Sequence, residues 1–127
     1  MDNPFGPVGT ANYVLLTTFR KDGTPVGTAV WAALDSGRLY IWTVTDSWKV
    51  KRLRRNPQVT LQPCDVRGKP HGDVVKGKGI VLDAEGSDRA RGLIKRKYGL
   101  MGWITVQGSQ LRRGKNGTIA LEITADD

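Results

Sequence analysis

Apolar residues fall mostly in short runs that are separated by turn-forming residues. The runs at 13–19, 26–34 and 38–44 are rich in β-branched and aromatic residues, which is typical of strands. Asp22-Gly23 follows the first run and Asp35-Ser36-Gly37 follows the second, and both sequences favour tight turns. The pattern therefore predicts that three antiparallel strands form a meander.

The hydrophobic period changes after the third run. Asp46 or Ser47 is a candidate N-cap for a short helix, and Pro57 ends that helix because proline cannot continue it. Residues 58–64 and 74–82 return to strand character, and two glycines are expected to weaken the second of these strands.

A second helix is predicted in the last third of the chain. Ser87 is its candidate N-cap and Gly99 its candidate C-cap. Residues 103–106 are then predicted as a short strand, 107–116 as a polar loop and 117–124 as a closing strand.

The predicted order β-β-β-α-β-β-α-β-β indicates a mainly β protein with short helices. Many antiparallel strands favour a barrel, because closure removes exposed sheet edges. A parallel sheet would need a crossover helix between successive strands, and this pattern lacks them. The 127 residues fit one domain, with residues 1–12 as an N-terminal arm.

The net charge of the chain indicates that it binds an anion. The chain has 20 Lys and Arg against 12 Asp and Glu, a formal charge of +8, which attracts nucleic acid, an anionic membrane or a small polyanion. No apolar run approaches the roughly 20 residues of a membrane span. Aromatic and basic residues do not interleave along one strand, which argues against a nucleic-acid platform.

Cysteine and histidine are scarce, with Cys64 and His71 as the single examples. A single cysteine cannot form an intramolecular disulfide. One histidine and one distant cysteine do not make a typical zinc or iron site. With no secretory signal in the sequence, we expect a cytoplasmic protein without a metal.

The junction between the third strand and the first helix carries the most specific chemical pattern. Hydroxyl groups precede a helix start, where free backbone N–H groups and the helix dipole favour anions. Basic side chains follow on the helix itself. The candidate anion-binding residues are Thr43, Thr45, Ser47, Lys49, Lys51, Arg52 and Arg54. The alternative is a solvated helix face, as charge runs usually are.

Other catalytic patterns are missing from the sequence. There is no nucleophile elbow, and there is no Cys–His pair at a useful spacing. Trp31 and Trp48 could flank a planar ring or pack in the core, whereas Trp42 is expected to pack and Trp103 to line an interface or pocket. This combination is typical of a protein whose cofactor carries the chemistry.

The sequence also resembles a known family. The matching segments are 13–26, Val30-Trp31-Ala32-Ala33, Thr43-x-x-Asp46-Ser47-Trp48-Lys49-Val50-Lys51-Arg52-Leu53, Asn56-Pro57 and 59–61, with weaker matches at 77–79 and 96–99. They resemble the pyridoxamine-phosphate-oxidase-like flavin-reductase superfamily, and within it the small actinobacterial branch of coenzyme F420-dependent oxidoreductases. The chain departs from longer relatives in having almost no helix before Tyr13.

The resemblance implies a split β-barrel of the flavin-reductase or FMN-binding type. It implies a homodimer with two cofactor sites at the subunit interface. Val30, Trp31 and Ala32 would run beside the flavin-like ring. The residues expected at the ribityl and phosphate part are Thr43, Ser47, Trp48 and Lys49. Relatives use FMN or the deazaflavin F420, and the basic residues at 49–55 suit the oligoglutamate tail of F420.

The expected function is therefore hydride transfer from reduced coenzyme F420 to a small conjugated acceptor, such as an enone or quinone. The alternatives are an FMN-binding oxidoreductase and a flavin or deazaflavin carrier without enzymatic activity. A basic nucleic-acid-binding barrel ranks below all of these.

Overall fold

In a computed structural model of the protein, described over residues 4–44, 47–113 and 118–126, seven strands and three helices form one unit. None of the helices in those ranges is long and apolar enough to cross a membrane. The helices are α1 (Pro7–Thr10), α2 (Trp48–Arg55) and α3 (Ala84–Arg113). The strands are β1 (Val14–Phe19), β2 (Pro25–Val30), β3 (Ala32–Asp35), β4 (Arg38–Val44), β5 (Gln58–Pro63), β6 (Val75–Val81) and β7 (Thr118–Ala125).

All seven strands form one antiparallel sheet in the order β2-β1-β5-β6-β7-β4-β3. The two edge strands, β2 and β3, are consecutive in the chain, and Trp31 alone separates them. The sheet must therefore curl until its two edges meet at this residue, which produces a half-barrel. The predicted mainly β class is confirmed.

The predicted strand 26–34 is two strands, and the predicted three-stranded meander is wrong. The first half, β2, pairs with β1 (Val14 opposite Val30), whereas the second half, β3, pairs with β4 (Ala32 opposite Ile41). The hydrophobic run is continuous across the corner at Trp31, so the pattern alone gives no sign of the break.

The core fills the concave side of the sheet. Alternate residues of β1 point inward, with Val14, Leu16 and Thr18 buried, as the period of a strand requires. The N-terminal arm also contributes, because Phe5 and Val8, in and beside α1, are each only 1% exposed. Burying such side chains stabilises the fold by about 1.5–3 kcal/mol each, so the arm has a larger structural role than predicted.

Helix α2 packs on the sheet where β6 has glycines. Its buried residues Val50 and Leu53 are three apart and share one face. A Cβ on Gly79 would lie 2.8 Å from Ile123 Cδ1 and 3.3 Å from Leu53 Cδ2. Gly79 is therefore needed for the close approach of the helix to the sheet, and the expectation that it only weakens β6 missed this role.

Helix α3 begins and ends differently from the prediction. It starts at Ala84, where Asp83 Oδ1 accepts a hydrogen bond from the Gly86 N–H at 2.8 Å. Ser87 is not the cap. It lies inside the helix, and its hydroxyl accepts the Ala120 N–H at 3.0 Å.

Gly99 ends the first helical segment, with φ 64° and ψ −142°, a conformation that is essentially restricted to glycine. The chain then resumes a helix as far as Arg113, so the predicted strand 103–106 and most of the predicted loop 107–116 are wrong. The rest of that loop lies outside the described residues. The local β-propensity of 103–106 is overridden by its context.

Candidate functional site

A pocket of about 300 Å³ opens at the corner between the two edge strands. We call it the tryptophan pocket, and its lining comes from the residue before β1, from β2 and the corner after it, from β4, from α2 and from the connection between β5 and β6. The lining residues are Tyr13, Thr28, Ala29, Val30, Trp31, Trp42, Thr43, Lys49 and Val66. The volume is at the lower end of the range for small-molecule sites.

Lys49 is the cation of this pocket. Its side chain is about half-buried, and it has no hydrogen bond or ion pair with a described residue. Burial lowers the pKa of its ammonium group, and the nearby positive charge of Arg52 lowers it further. A half-buried cation without a counter-ion is costly in the free protein, and a bound anion would offset that cost.

Two further polar groups near Lys49 also have no partner within the described ranges. They are Trp42 Nε1, which belongs to a pocket-lining residue, and Ser47 Oγ, and both atoms are buried. Ser47 occupies the predicted N-cap position of α2, but its hydroxyl makes no capping bond. Buried polar groups are normally hydrogen-bonded. Together with the ammonium group, these donors suit a ligand rich in acceptor atoms.

The other side of α2 lines a second concavity of about 510 Å³, which we call the basic groove. Five of its six lining residues are cations, from the β1–β2 turn and α2: Arg20, Lys21, Trp48, Lys51, Arg52 and Arg55. Lys51 Nζ lies 4.6 Å from the centroid of the Trp48 ring, and Arg52 Nε donates to Thr18 Oγ1 at 2.7 Å.

The cations of the basic groove affect one another. Burial lowers the pKa of the Arg52 guanidinium, and the charges of Arg20 and Arg55 lower it further. Trp48 is 70% exposed on the same surface. The groove therefore combines a concentrated positive field with an exposed aromatic ring, which fits an extended polyanion.

The predicted site residues thus fall on two surfaces. Four line the tryptophan pocket: Val30, Trp31, Thr43 and Lys49. Three line the basic groove: Trp48, Lys51 and Arg52. Ser47, at the N-cap of α2, lines neither concavity. Ala32 is fully buried, Arg54 is exposed and lines neither concavity, and Thr45 lies outside the described residues. Within the described ranges, no group of three His, Cys, Asp or Glu side chains is arranged to hold a metal ion.

Several lining residues were missed from sequence. In the pocket they are Tyr13, Thr28, Ala29, Trp42 and Val66, and in the groove they are Arg20 and Lys21. The hairpin register contained one usable signal. Val14 lies opposite Val30 at the end of the β1–β2 ladder, and the residues just beyond this pair, Tyr13 and Trp31, both line the pocket. Val66 carried no such signal, because a loop placed by long-range pairing brings it to the pocket.

Several solved structures share this architecture. A conserved hypothetical protein from Mycobacterium tuberculosis, Rv2991, is 23% identical with a TM-score of 0.71, over 94% of this chain and 76% of that one. A structure described as an F420 reductase is 21% identical with a TM-score of 0.64, over 100% and 97%. The heme storage protein HutZ from Vibrio cholerae is 13% identical with a TM-score of 0.66, over 91% and 82%.

No curated protein sequence matches the chain significantly. The sequence profile of the pyridoxamine 5′-phosphate oxidase family, whose members bind flavins and include oxidoreductases, matches residues 8–127. That range includes all seven strands, both concavities and helix α3. The curled sheet is the split barrel of this family, and the chain belongs to the pyridoxamine 5′-phosphate oxidase family.

Proposed function

We propose that the protein is an oxidoreductase that uses coenzyme F420 and transfers a hydride from the reduced deazaflavin to a small conjugated acceptor. One observation carries the proposal. An aromatic-walled pocket contains the ammonium group of Lys49, which has no partner among the described residues, and a groove of five cations uses the same helix. This arrangement suits a planar ring joined to a phosphate and a longer anionic tail.

The donor set fits such a cofactor. Its ring system is planar and carries carbonyl acceptors, so it would lie beside Val30 and Trp31, with Trp42 Nε1 available as a donor. Thr43, Ser47 and Lys49 would hold the phosphate, because they supply hydroxyl and ammonium donors close to the start of α2. When bound, the cofactor supplies the hydride chemistry, while these residues bind it, orient it and exclude water.

The basic groove favours F420 over FMN. FMN carries one phosphate, which the tryptophan pocket and the start of α2 could hold alone. The tail of F420 adds several carboxylates, and Lys51, Arg52 and Arg55 offer cations along its path. The fold shared with a structure described as an F420 reductase is consistent with this choice.

A carrier without enzymatic activity is the second candidate. Among the described residues that line the tryptophan pocket, none has a carboxylate, imidazole or thiol that could act as a general acid. The Tyr13 hydroxyl is an ionisable group there besides Lys49. A carrier would bind the cofactor tightly and reduce no acceptor, whereas the proposed enzyme would oxidise reduced F420 in the presence of enones or quinones.

The proposal includes a homodimer in which a second copy completes each site. The tryptophan pocket is small for a whole cofactor, and Val66 at its lining is 66% exposed. A second copy that packed on Val66 would bury this side chain and enlarge the site. Light scattering after gel filtration should give twice the mass of 13.9 kDa, and a monomer at micromolar concentration would contradict this part.

The cofactor is tested by titrating the purified protein with F420 and with FMN at low and at moderate salt. We expect micromolar or tighter binding of F420, with an affinity that falls more steeply with salt than that of FMN. If FMN bound and F420 did not, the cofactor would be FMN. If neither ligand bound at micromolar concentration, the proposed function would be overturned.

A further inference from the structure

The corner at Trp31 is held by side chains from α3. The backbone of Ala32, directly after the corner, bonds to two of them. Its N–H donates to Tyr98 Oη at 3.1 Å, and its carbonyl accepts from Lys97 Nζ at 2.5 Å. Ala32 is fully buried and its two partners are partly buried, so these bonds stabilise the strand break.

The same two residues bind the N-terminal arm. Tyr98 Oη lies 2.7 Å from the Asn12 carbonyl oxygen and 3.2 Å from that of Ala32, so its single proton is best donated to Asn12. Lys97 Nζ donates to the Ala11 carbonyl at 2.7 Å. One tyrosine and one lysine thus connect the arm, the corner and α3.

The Tyr98 ring also contacts Trp31 directly. The two rings are stacked, with centroids 4.4 Å apart and planes 9° from parallel. Lys97 Nζ lies 5.2 Å from the centroid of the Tyr98 ring, close enough for a cation–π contact. Trp31 lines the tryptophan pocket and Tyr98 does not. The tyrosine therefore supports a wall of the pocket that it does not itself form.

We propose that Tyr98, together with Lys97, is a positioning residue that fixes the plane of Trp31 and so determines how the pocket receives a planar heteroaromatic ring. This inference rests on the proposed function for the identity of the ligand, but the support of Trp31 does not depend on it. Gly99, with its φ of 64°, turns the chain directly after Tyr98, so the tyrosine is the last residue of a rigid helical segment.

Three variants test this inference: Tyr98→Leu, Tyr98→Phe and, as a matched control, Tyr40→Phe. Tyr98→Leu removes the stack and the hydroxyl group, whereas Tyr98→Phe keeps the ring. Tyr40 is a buried tyrosine of β4 whose hydroxyl donates to Glu122 Oε2 at 3.1 Å, and it does not line the pocket. Its substitution therefore removes a comparable hydrogen bond from another place.

The dissociation constants of F420 and FMN are then measured for all variants. We expect Tyr98→Leu to raise them about tenfold, because this variant loses both the aromatic stack on Trp31 and the hydrogen bonds of the hydroxyl group. Tyr98→Phe should raise them about threefold, and Tyr40→Phe should leave them unchanged although it also lowers the melting temperature. Equal dissociation constants for Tyr98→Leu and Tyr40→Phe would overturn the inference.

A measurement without ligand separates this inference from the proposed function. Hydrogen exchange of the Ala32 amide should accelerate in Tyr98→Phe and stay unchanged in Tyr40→Phe, because the first variant removes its acceptor. If the wild-type protein bound neither cofactor, the proposed function would fail, but the hydrogen-exchange measurement would still test whether Tyr98 positions Trp31. Unchanged exchange in Tyr98→Phe would show that Tyr98 does not hold the corner.

Discussion

The tryptophan pocket and the basic groove share helix α2 but differ in almost every physical respect. The pocket is walled by Trp31 and Trp42 and contains one half-buried cation, Lys49. The groove has five cations and an exposed Trp48. In the pocket, burial strengthens the interaction between a single charge and a bound anion. In the groove, many solvated charges act together, and salt screens their interaction with a ligand. Consecutive residues of one helix can therefore serve two kinds of recognition.

The largest effect is expected from Lys49→Met, with Lys51→Met as the matched control on the groove side. Removing a charged donor from a phosphate should weaken FMN binding by roughly ten- to a hundredfold. Lys51→Met should change FMN affinity by less than about twofold, because an exposed charge contributes little. Isothermal titration of both variants measures this, and equal losses would mean that the positive field is diffuse.

The support of α2 is tested by making the same change at two glycines. Gly79→Ala should lower the free energy of unfolding by about 1–3 kcal/mol, because its Cβ would lie 2.8 Å from Ile123 Cδ1. At Gly92 in α3, a Cβ would meet nothing within 4 Å, so Gly92→Ala should raise it by about 0.5–1 kcal/mol. Urea unfolding measures both, and a neutral Gly79→Ala would show that the helix–sheet contact can relax.

The groove is tested with Arg55→Gln, which removes a lining cation, and Arg54→Gln, which removes an exposed neighbour outside both concavities. Arg55→Gln should weaken F420 binding about two- to fivefold at low salt, in line with the modest strength of exposed ion pairs. It should leave FMN binding unchanged, and Arg54→Gln should affect neither ligand. Equal effects on F420 would mean that the tail lies elsewhere on α2.

The smallest effect concerns pH. Burial lowers the pKa of Lys49 in the folded protein below its ordinary value of 10.5, which the unfolded chain retains. Between the lowered pKa and pH 10.5 the unfolded chain binds more protons, so through Lys49 the stability rises with pH. Lys49→Met should be more stable than wild type at neutral pH, and this advantage should shrink towards pH 10.5. Unfolding free energies across that window measure the difference, and a constant difference would contradict the burial of an unpaired charge.

Where structure is local, the sequence predicted it well. The strand at 38–44 and the helix after Ser47 are confirmed, because β-forming residues and the stop signal of Pro57 act over a few positions. The corner at Trp31 and the helix at 103–106 were wrong, because pairing with β4 and packing in α3 override the local pattern.

The candidate site divides in the same way. Trp31 and Lys49 were predicted to act together, and they line one pocket. The split of the basic residues between pocket and groove could not be predicted, because it depends on the direction of each side chain from α2. Tyr98 was also missed, since its role depends on a contact with Trp31, which is far away in the sequence.

Strand β7 lies between β6 and β4 in the sheet, and this has a consequence for the order of folding. Until it is in place, the sheet consists of a four-stranded piece, β2-β1-β5-β6, and a separate hairpin, β4-β3. The hairpins at 14–30 and 32–44 are local and can form early, whereas residues 118–125 pair with β4 only after most of the chain has been made. Because β7 pairs with both β6 and β4, its addition fixes the wall that Trp42 and Thr43 give to the tryptophan pocket against the far side of the sheet.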